Sequence, residues 1–332
     1  MSEKPKKSKF WKWTKRVLLT LAILAALIVF VGFPTLMAYF ITHSRTRPFE
    51  LRIADTPATF DARFEEIQFT SFNSPEEIAS TGNNGVDRSS SSNAPVISGW
   101  YLPQDSAKAI IIYVHGLFRS RQEMLERACD LWKHGYAGLI IDFRRHGKST
   151  GELTSMGFLE RLDVIAAVQF IKKELHLDLP VVVCSVSMGA AAALLAAAEA
   201  PEIDLVIAES SFLSFDNTIA HHAKLILKLP AFPFAHTVSF LTKVWVGFSS
   251  EDFDLRIAAQ KMGDRPVLFL ADEKDRRMPL EVEQELFAAC TSAQKELKII
   301  PEATHGAAYR TNPELYVETI LAFLQKHLDK VN

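Results

Sequence analysis

The chain has 332 residues, of which 48% are hydrophobic and 23% are charged, and its formal net charge at pH 7 is −2. This composition is typical of a chain with a substantial core, and a charge so near zero excludes a strong general attraction to nucleic acid. The three cysteines, Cys129, Cys184 and Cys290, are too widely spaced for a disulfide framework or a metal-ligand pattern. Their apolar surroundings predict buried free thiols.

The N-terminus combines a basic tail with a long apolar run. Residues 1–16 carry seven basic side chains against Glu3 alone, and residues 17–42 carry no charge. As a helix rising about 1.5 Å per residue, this run can cross a hydrocarbon core roughly 30 Å thick. We therefore predict a cytoplasmic tail (1–16) and a transmembrane anchor (17–42). Since basic flanks stay inside, the rest of the chain is expected on the non-cytoplasmic side.

Two alternatives to the anchor fit the residues less well. A cleaved secretory signal usually has an apolar region of about 7–15 residues that ends in a small-x-small site. The run here is longer, and Leu36-Met37-Ala38 is a poor cleavage site. A buried core helix is disfavoured because no polar face recurs at helical spacing. An uncleaved single-span anchor remains the prediction.

A polar linker and a pair of strands follow the anchor. Residues 43–63 form the expected linker, and residues 64–332 form the expected folded domain. Within this domain, 64–72 and 96–103 alternate as strands do. The Ser-, Gly- and Asn-rich residues 73–95 between them predict a flexible insertion.

From Ala109 onward, apolar strands alternate with helices. Strands are expected at AIIIYV, AGLIIDF, PVVVCSV, DLVIAESS, PVLFLAD and KELKIIPEA. Helices are expected at 121–133, 158–175, after residue 187, from residue 280, and at 313–328. Continuous apolar strands of this kind are buried on both faces, which predicts an α/β fold with a mostly parallel sheet and helices on each side.

The alternation breaks once, between DLVIAESS and PVLFLAD. Residues 212–256 are rich in Phe, Leu, His and Pro and are too long for a plain connection. We predict a helical cap over the edge of the sheet.

A serine occupies the turn between a strand and an alanine-rich helix. In SVSMG, Ser187 follows PVVVCSV, and the amide of Met188 begins the helix, where backbone N–H groups favour negative charge. Ser185 is two residues short of the bend. Gly189 keeps the strand and helix close. The turn predicts Ser187 as a nucleophile.

A base and an acid follow other strands. His305 comes after KELKIIPEA, and Asp272 and Asp275 both come just after PVLFL. In open parallel sheets, residues beyond the carboxyl ends of strands meet at one edge. The chain order Ser, Asp, His is that of an α/β-hydrolase triad, with either aspartate available as the acid.

Five motifs carry a resemblance to a known family. The chain contains YVHGLFRS, DFRRHGKSTG, SVSMG, ADEKDRRMP and ATHG at the ends of predicted strands. From about Phe64 to the C-terminus it resembles an α/β-hydrolase, and it is most similar to membrane-anchored, serine-aminopeptidase-like members. The resemblance implies an α/β-hydrolase fold with a helical cap.

The resemblance also implies the remaining site residues. Aligning the family motif H-G-x-x-D-x-x-V-P makes Asp275 the acid. The H-G turn implies that the amide of Leu117, with Phe118 as an adjacent option, joins that of Met188 in an oxyanion hole.

The chain departs from the family pattern at three places. Ser185 and Arg145 each replace a glycine, and Ala271-Asp272 replace His-Gly. None of these changes removes a member of the triad, so they bear on the subfamily more than on the chemistry.

Other polar residues are interpreted structurally. His115 is expected to hold its turn, and Asp142 with Arg144 to hold the loop after the fourth strand. Glu160 and Asp163 are expected on a solvated helix face. The remaining candidates are cap histidines without metal-ligand spacing, expected at the surface or rim: His221, His222 and His236.

The pattern predicts a serine hydrolase that forms an acyl-enzyme and requires no cofactor or metal. The apolar cap residues are suited to line an acyl-binding cleft or to rest against lipid near the anchor, which favours an ester or thioester with a hydrophobic acyl chain; plain packing on the sheet is the alternative for these residues. An aminopeptidase-like amide hydrolase is the alternative, and it would use a cap carboxylate such as Glu251, Asp252 or Asp254 to hold the substrate amine. A catalytically inactive binding or scaffold protein is a third alternative. The expected partners are a small acyl substrate and the membrane.

Overall fold

An eight-stranded sheet forms the centre of the molecule. The computed structural model describes residues 9–78 and 93–328. The sheet has the order β1-β2-β4-β3-β5-β6-β7-β8. The strands are β1 (Glu65–Thr70), β2 (Val96–Leu102), β3 (Ile110–Val114), β4 (Ala137–Ile141), β5 (Val181–Val186), β6 (Leu205–Glu209), β7 (Val267–Asp272) and β8 (Lys295–Ile300).

The sheet is parallel from β4 to β8 and antiparallel at its β1–β2 edge. β2 pairs antiparallel with both β1 and β4, and the remaining neighbours pair parallel. Every residue of β3 to β7 is buried, as expected for strands covered on both faces. The predicted mostly parallel α/β fold is confirmed.

Helices cover both faces of the sheet. They are α1 (Lys9–Thr42), α2 (Leu125–Lys133), α3 (Glu160–Lys173), α4 (Met188–Glu199), α5 (Phe215–Leu227), α6 (His236–Val246), α7 (Leu255–Gln260), α8 (Leu280–Ala289), α9 (Ala308–Thr311) and α10 (Pro313–Leu328). The apolar side chains of α3, α4 and α7 pack on one face, and those of α2 and α10 pack on the other. Alternate residues of β3 supply the two cores, with Ile110 and Ile112 on the first and Ile111 and Tyr113 on the second.

Helix α1 lies largely outside this domain. It contains a π-helical turn at Ile28–Gly32. Within the described ranges 9–78 and 93–328, it is the one helix without a sharp bend that is both long enough and apolar enough to cross a membrane. Only its C-terminal third contributes buried residues, namely Pro34, Ala38 and Thr42. The helix therefore meets the domain at one end and projects away from it at the other.

The segment between β6 and α7 folds over the carboxyl ends of the strands. Helices α5 and α6 are bent by 119° at the break between them and together are apolar enough to count as a broken span. An isolated bridge between Ser214 and Asp254 closes the base of this segment. The stacked rings of Phe215 and Phe253 (centroids 5.7 Å apart) fill the space beneath it.

The expectation of a solvated face on α3 is wrong. Both Glu160 and Asp163 are fully buried. Glu160 accepts hydrogen bonds from the hydroxyls of Thr154 (2.6 Å) and Ser155 (2.9 Å), and Asp163 forms an ion pair with Arg144 (2.7 Å). Protein groups on all sides satisfy the hydrogen-bonding capacity of these two carboxylates. The carboxylates thereby hold the loop between β4 and α3 in place.

The roles expected of Asp142 and Arg144 are borne out. Asp142 accepts hydrogen bonds from the amides of Arg121 (2.7 Å) and Lys148 (3.0 Å), and Arg144 is tied to Asp163. Both residues hold the loop after β4. All three cysteines are buried free thiols, as predicted. The flexible insertion predicted for 73–95 falls mostly on residues 79–92, which lie outside the described residues.

Candidate active site

Ser187 occupies a strained turn between β5 and α4. Its backbone has φ 56° and ψ −113°, a conformation that L-residues rarely adopt and that a packed surrounding must hold in place. The amide of Ser187 donates to the carbonyl of Glu209 at 2.8 Å. A Cβ on Gly189 would lie 2.5 Å from the carbonyl oxygen of Val114, so only glycine lets the helix start this close to β3.

His305 and Asp275 reach this serine from two other loops. The Nε2 atom of His305 lies 2.9 Å from the Oγ atom of Ser187, and its Nδ1 atom lies 2.6 Å from Oδ2 of Asp275. Oδ1 of Asp275 accepts from the amides of Arg277 (2.7 Å) and Met278 (2.9 Å). With its proton on Nδ1, the imidazole donates to Asp275 and accepts from the serine hydroxyl. Chemically, the arrangement can deprotonate that hydroxyl.

Ser185 takes no part in this chain of hydrogen bonds. Its side chain is fully buried on β5, and its hydroxyl donates to the carbonyl of Ile207 at 2.7 Å. The small hydroxymethyl group fits the tight strand packing, and the strand carbonyl satisfies its only donor.

Two backbone amides adjoin the serine. Leu117 and Met188 line the same cavity as Ser187, and neither amide donates a hydrogen bond to any residue in the described ranges. The turn that carries Leu117 is held by Glu123, whose Oε2 atom accepts from the amide of Gly116 at 2.7 Å. Phe118 has φ 64° and directs its carbonyl to the amide of Arg47.

His115 holds the turn before Leu117, as expected. Its Nδ1 atom donates to the carbonyl of Gly116 at 2.7 Å, and its Nε2 atom accepts from the amide of Phe143 at 3.1 Å. Burial lowers the pKa of His115 to about 4, so the ring is neutral and both nitrogens are occupied.

Asp272, the other candidate acid, forms no hydrogen bond with the imidazole among the described residues and instead supports the loop that carries His305. Its Oδ2 atom accepts from the hydroxyl of Ser210 (2.7 Å) and the amide of Ala307 (3.3 Å). The Ser210 hydroxyl in turn accepts from the amide of Gly306 at 3.1 Å. Burial, with the nearby Glu209 charge, raises the pKa of Asp272 to about 8.

Two further buried acids behind the site were not predicted. Glu209 pairs with Arg127 at 2.8 Å and accepts from the amide of Ala308 at 3.1 Å. Glu283 accepts from the amide of Ser211, and burial raises the pKa of Glu283 well above its ordinary value. Glu209 lies near the end of the predicted strand DLVIAESS, and this position was a signal for it, whereas Glu283 lies on a helix and has no such signal.

The cavity over Ser187 is large and mainly apolar. Its volume is about 730 Å³, within the roughly 300–1,000 Å³ of small-molecule sites. Of the cap histidines, only His222 lines it; burial lowers the pKa of His222 to about 4. His221 contacts the carbonyl of Arg276, and His236 is exposed.

The cap carboxylates stand outside this cavity. Glu251, Asp252 and Asp254 are absent from its described lining. Asp254 instead caps α7 and pairs with Arg256 at 2.6 Å, and Asp252 accepts from the amide of Ser249. None of the three is available there to hold a substrate amine.

Comparison with known proteins agrees with the fold. A family model described as serine aminopeptidase, S33, matches residues 105–246, which include Ser187. The chain is 27% identical to the uncharacterized protein YqkD of Bacillus subtilis over 95% of this chain and 99% of that protein. It is 31% identical to the protein bem46 of Schizosaccharomyces pombe over 50% of this chain and 51% of that one.

Solved structures show the same architecture. An esterase of Pyrococcus furiosus superposes with a TM-score of 0.67 at 23% identity and covers 86% of this chain and 98% of its own. Est1E of Butyrivibrio proteoclasticus, solved with ferulic acid, superposes with a TM-score of 0.56 at 21% identity and covers 71% of this chain and 96% of its own. At these identities the likeness shows the fold.

Proposed function

Since the chain has the α/β-hydrolase fold, we propose that it is a serine hydrolase that cleaves carboxylic esters or thioesters through an acyl-enzyme. The observation that carries the proposal is the hydrogen-bond chain from Ser187 through His305 to Asp275, with distances of 2.9 and 2.6 Å. A nucleophile, its base and an orienting acid within hydrogen-bond reach are the requirements of this chemistry.

The proposed reaction has two half-reactions. His305 takes the hydroxyl proton as Ser187 attacks the carbonyl carbon, and Asp275 holds the imidazole and stabilises its cation. The amides of Leu117 and Met188 stabilise the oxyanion. The carbonyl–oxygen or carbonyl–sulfur bond then breaks, and His305 protonates the leaving group. Water repeats the attack on the acyl-serine and releases the acid, so one water is consumed per bond cleaved.

The lining of the cavity favours a hydrophobic acyl group. Cap and α1 side chains make most of the wall apolar, and the esterase of Pyrococcus furiosus offers a parallel within the fold. The family model described as serine aminopeptidase favours amide hydrolysis as a second candidate. Against it, the cavity has no cap carboxylate for an amine among its described lining residues.

We also propose that α1 anchors the protein in a membrane. The basic residues 1–16 would then stay on the cytoplasmic side and the hydrolase domain would lie on the other side. The proposed partners are the membrane and a small acyl substrate.

A hydrolysis panel tests the proposed function. The full chain in detergent is offered p-nitrophenyl esters of increasing length and aminoacyl p-nitroanilides, with Ser187→Ala and the matched control Ser185→Ala. We expect esters to be cleaved faster than anilides, Ser187→Ala to lower kcat by roughly 10⁴-fold or more, and Ser185→Ala to stay active. Anilide turnover above ester turnover would favour the peptidase, and equal activity of Ser187→Ala and wild type would refute the mechanism.

A further inference from the structure

The N-terminal helix forms part of the wall of the reaction cavity. Phe33, Met37 and Ile41 of α1 line the cavity that contains Ser187. These positions are four residues apart, so they lie on one face of the helix. The segment with the composition of a membrane span is therefore also part of the candidate active site.

The cap forms the facing wall and contacts the same helix. The ring of Phe234 stacks on Phe30 (centroids 5.6 Å apart) and meets Phe33 edge-on (6.2 Å). Apart from His222, the cap residues that line the cavity are apolar or aromatic, and they include Ile219, Ala223, Ile226, Leu227, Ala235 and Val238. An aliphatic chain inside the cavity would thus lie between the cap and α1.

The depth of α1 in a bilayer puts this wall at the membrane surface. About 20 helical residues cross a hydrocarbon core, so a span that begins at Val17 reaches the far boundary near Leu36. The cavity face, from Phe33 to Ile41, straddles that boundary. Near it the cap exposes Phe232 (74% exposed) and Phe240 (62% exposed), side chains that suit the headgroup–acyl boundary.

The cavity lining also includes basic side chains. Five arginines line it, and all of them except Arg119 form no ion pair within the described residues: Arg47, Arg276, Arg277 and Arg310. The carboxylates that also line it are already engaged, Glu123 by Arg119 and Asp275 by His305. The cavity lining therefore combines apolar side chains from α1 and the cap with four arginines that have no carboxylate partner among the described residues, and Ser187 is also in its wall.

We propose that the substrate is an acyl ester of an anionic membrane lipid, taken directly from the bilayer. Its chain lies between α1 and the cap, its ester carbonyl meets Ser187, and its anionic head group meets the arginines. Hydrolysis consumes one water and releases a fatty acid and the deacylated head group. This inference rests on the proposed serine hydrolase function.

A chain-length experiment tests the wall formed by α1. The full chain is reconstituted in nanodiscs of a non-hydrolysable ether phosphatidylcholine and assayed with palmitoyl and acetyl esters of the same chromogenic alcohol. In Met37→Trp the indole fills the cavity, whereas in the control Leu36→Trp it faces away from it, Leu36 being 51% exposed and outside the lining. We expect Met37→Trp to lower the palmitoyl-to-acetyl ratio of kcat/KM about tenfold and Leu36→Trp to leave it unchanged. Ile41→Trp, one turn further, should act like Met37→Trp and serves if the first variant does not fold.

A head-group experiment tests the role of the cavity arginines. Palmitoyl lysophosphatidylglycerol is compared with palmitoyl lysophosphatidylcholine, and palmitoyl-coenzyme A in solution serves as a water-borne anionic acyl donor. Replacing Arg276 and Arg277 together by Gln should reduce the preference for the anionic lipid about tenfold. The paired control, Arg45→Gln with Arg52→Gln, removes the same charge from exposed positions outside the described cavity lining. This control should leave the preference for the anionic lipid unchanged.

The outcomes separate this inference from the proposed function. The inference is overturned if the wild-type protein cleaves the acetyl ester but shows no chain-length or head-group preference, or if it prefers palmitoyl-coenzyme A. Either result would still be consistent with the proposed serine hydrolase function. Wild type that cleaves none of these esters overturns the proposed function itself.

Discussion

Asp272 and Asp275 have the same side chain, but their surroundings give them different roles. Asp275 accepts hydrogen bonds from two backbone amides and faces the imidazole of His305, so its carboxylate is held beside the ring. Asp272 is buried beside Glu209, which favours its neutral form. The sequence pattern predicted both aspartates at the end of β7, and only the resemblance to the family motif favoured Asp275 as the acid. The bracing role of Asp272 depends on Ser210 and Ala307, which are distant in sequence, so no local pattern predicted it.

The two aspartates should respond differently to the same substitution. Asp275→Asn should lower kcat by roughly 10⁴-fold, because the amide cannot hold the imidazole in its working tautomer. Asp272→Asn keeps an acceptor for Ser210 and Ala307 and should retain most activity. Steady-state ester hydrolysis with thermal unfolding of both variants makes the comparison. Equal losses of kcat at equal stability would contradict the division of roles.

Asp272 should also make the stability of the protein depend on pH. Burial raises the pKa of Asp272 from its ordinary 3.8 to about 8. Between these pH values the folded protein holds a proton that the unfolded chain has released, so the free energy of unfolding falls as pH rises. Asp272→Asn lacks this proton. Denaturant unfolding should therefore show the variant gaining stability relative to wild type from pH 3.8 to about 8, and levelling off beyond. A constant difference would show that Asp272 titrates normally.

Among the helices and strands, prediction from sequence worked where apolar residues form continuous runs and failed where a side chain's partners are remote in sequence. The strands β3 to β7 are continuous apolar runs, and each lies where its run predicts. The carboxylates of α3 have the spacing of an exposed face, yet the partners of Asp163 lie 19 residues away at Arg144 and 92 residues away at Ser71. Only the folded chain brings these groups together.

Helix α3 provides a test of this buried pair. Asp163→Asn leaves the guanidinium of Arg144 buried without its anionic partner, which should cost about 3–5 kcal/mol of unfolding free energy. Asp178→Asn makes the same chemical change at a fully exposed carboxylate near Lys172 and should have no measurable effect. Denaturant titration measures both. A similar small effect for the two variants would mean that water replaces the lost partner in the loop after β4.

At the scale of the whole molecule, the apolar helix and the hydrolase domain are one structure. Residues 17–42 were predictable as a span from composition alone, but their place in the wall of the cavity was not, because it depends on how the cap folds back on α1.

The charge bias of the N-terminus predicts the orientation of the whole chain. An alkaline phosphatase reporter fused after Asn332 should be active, because this enzyme matures outside the cytoplasm. A matched chain in which the seven basic residues of 1–16 are replaced by Gln should lose much of that activity, since the bias that orients the span is gone. An inactive reporter on the wild-type tail, with normal expression, would place the domain on the cytoplasmic side.

Ser187 is the residue that we propose as the activated nucleophile of this site. The most direct measurement is to react the full chain with a fluorophosphonate and locate the adduct by peptide mass spectrometry. We expect one adduct, on Ser187, which survives Ser185→Ala and disappears in Ser187→Ala. An adduct on Ser185 or any other residue, or no adduct on folded wild-type protein, would contradict the account.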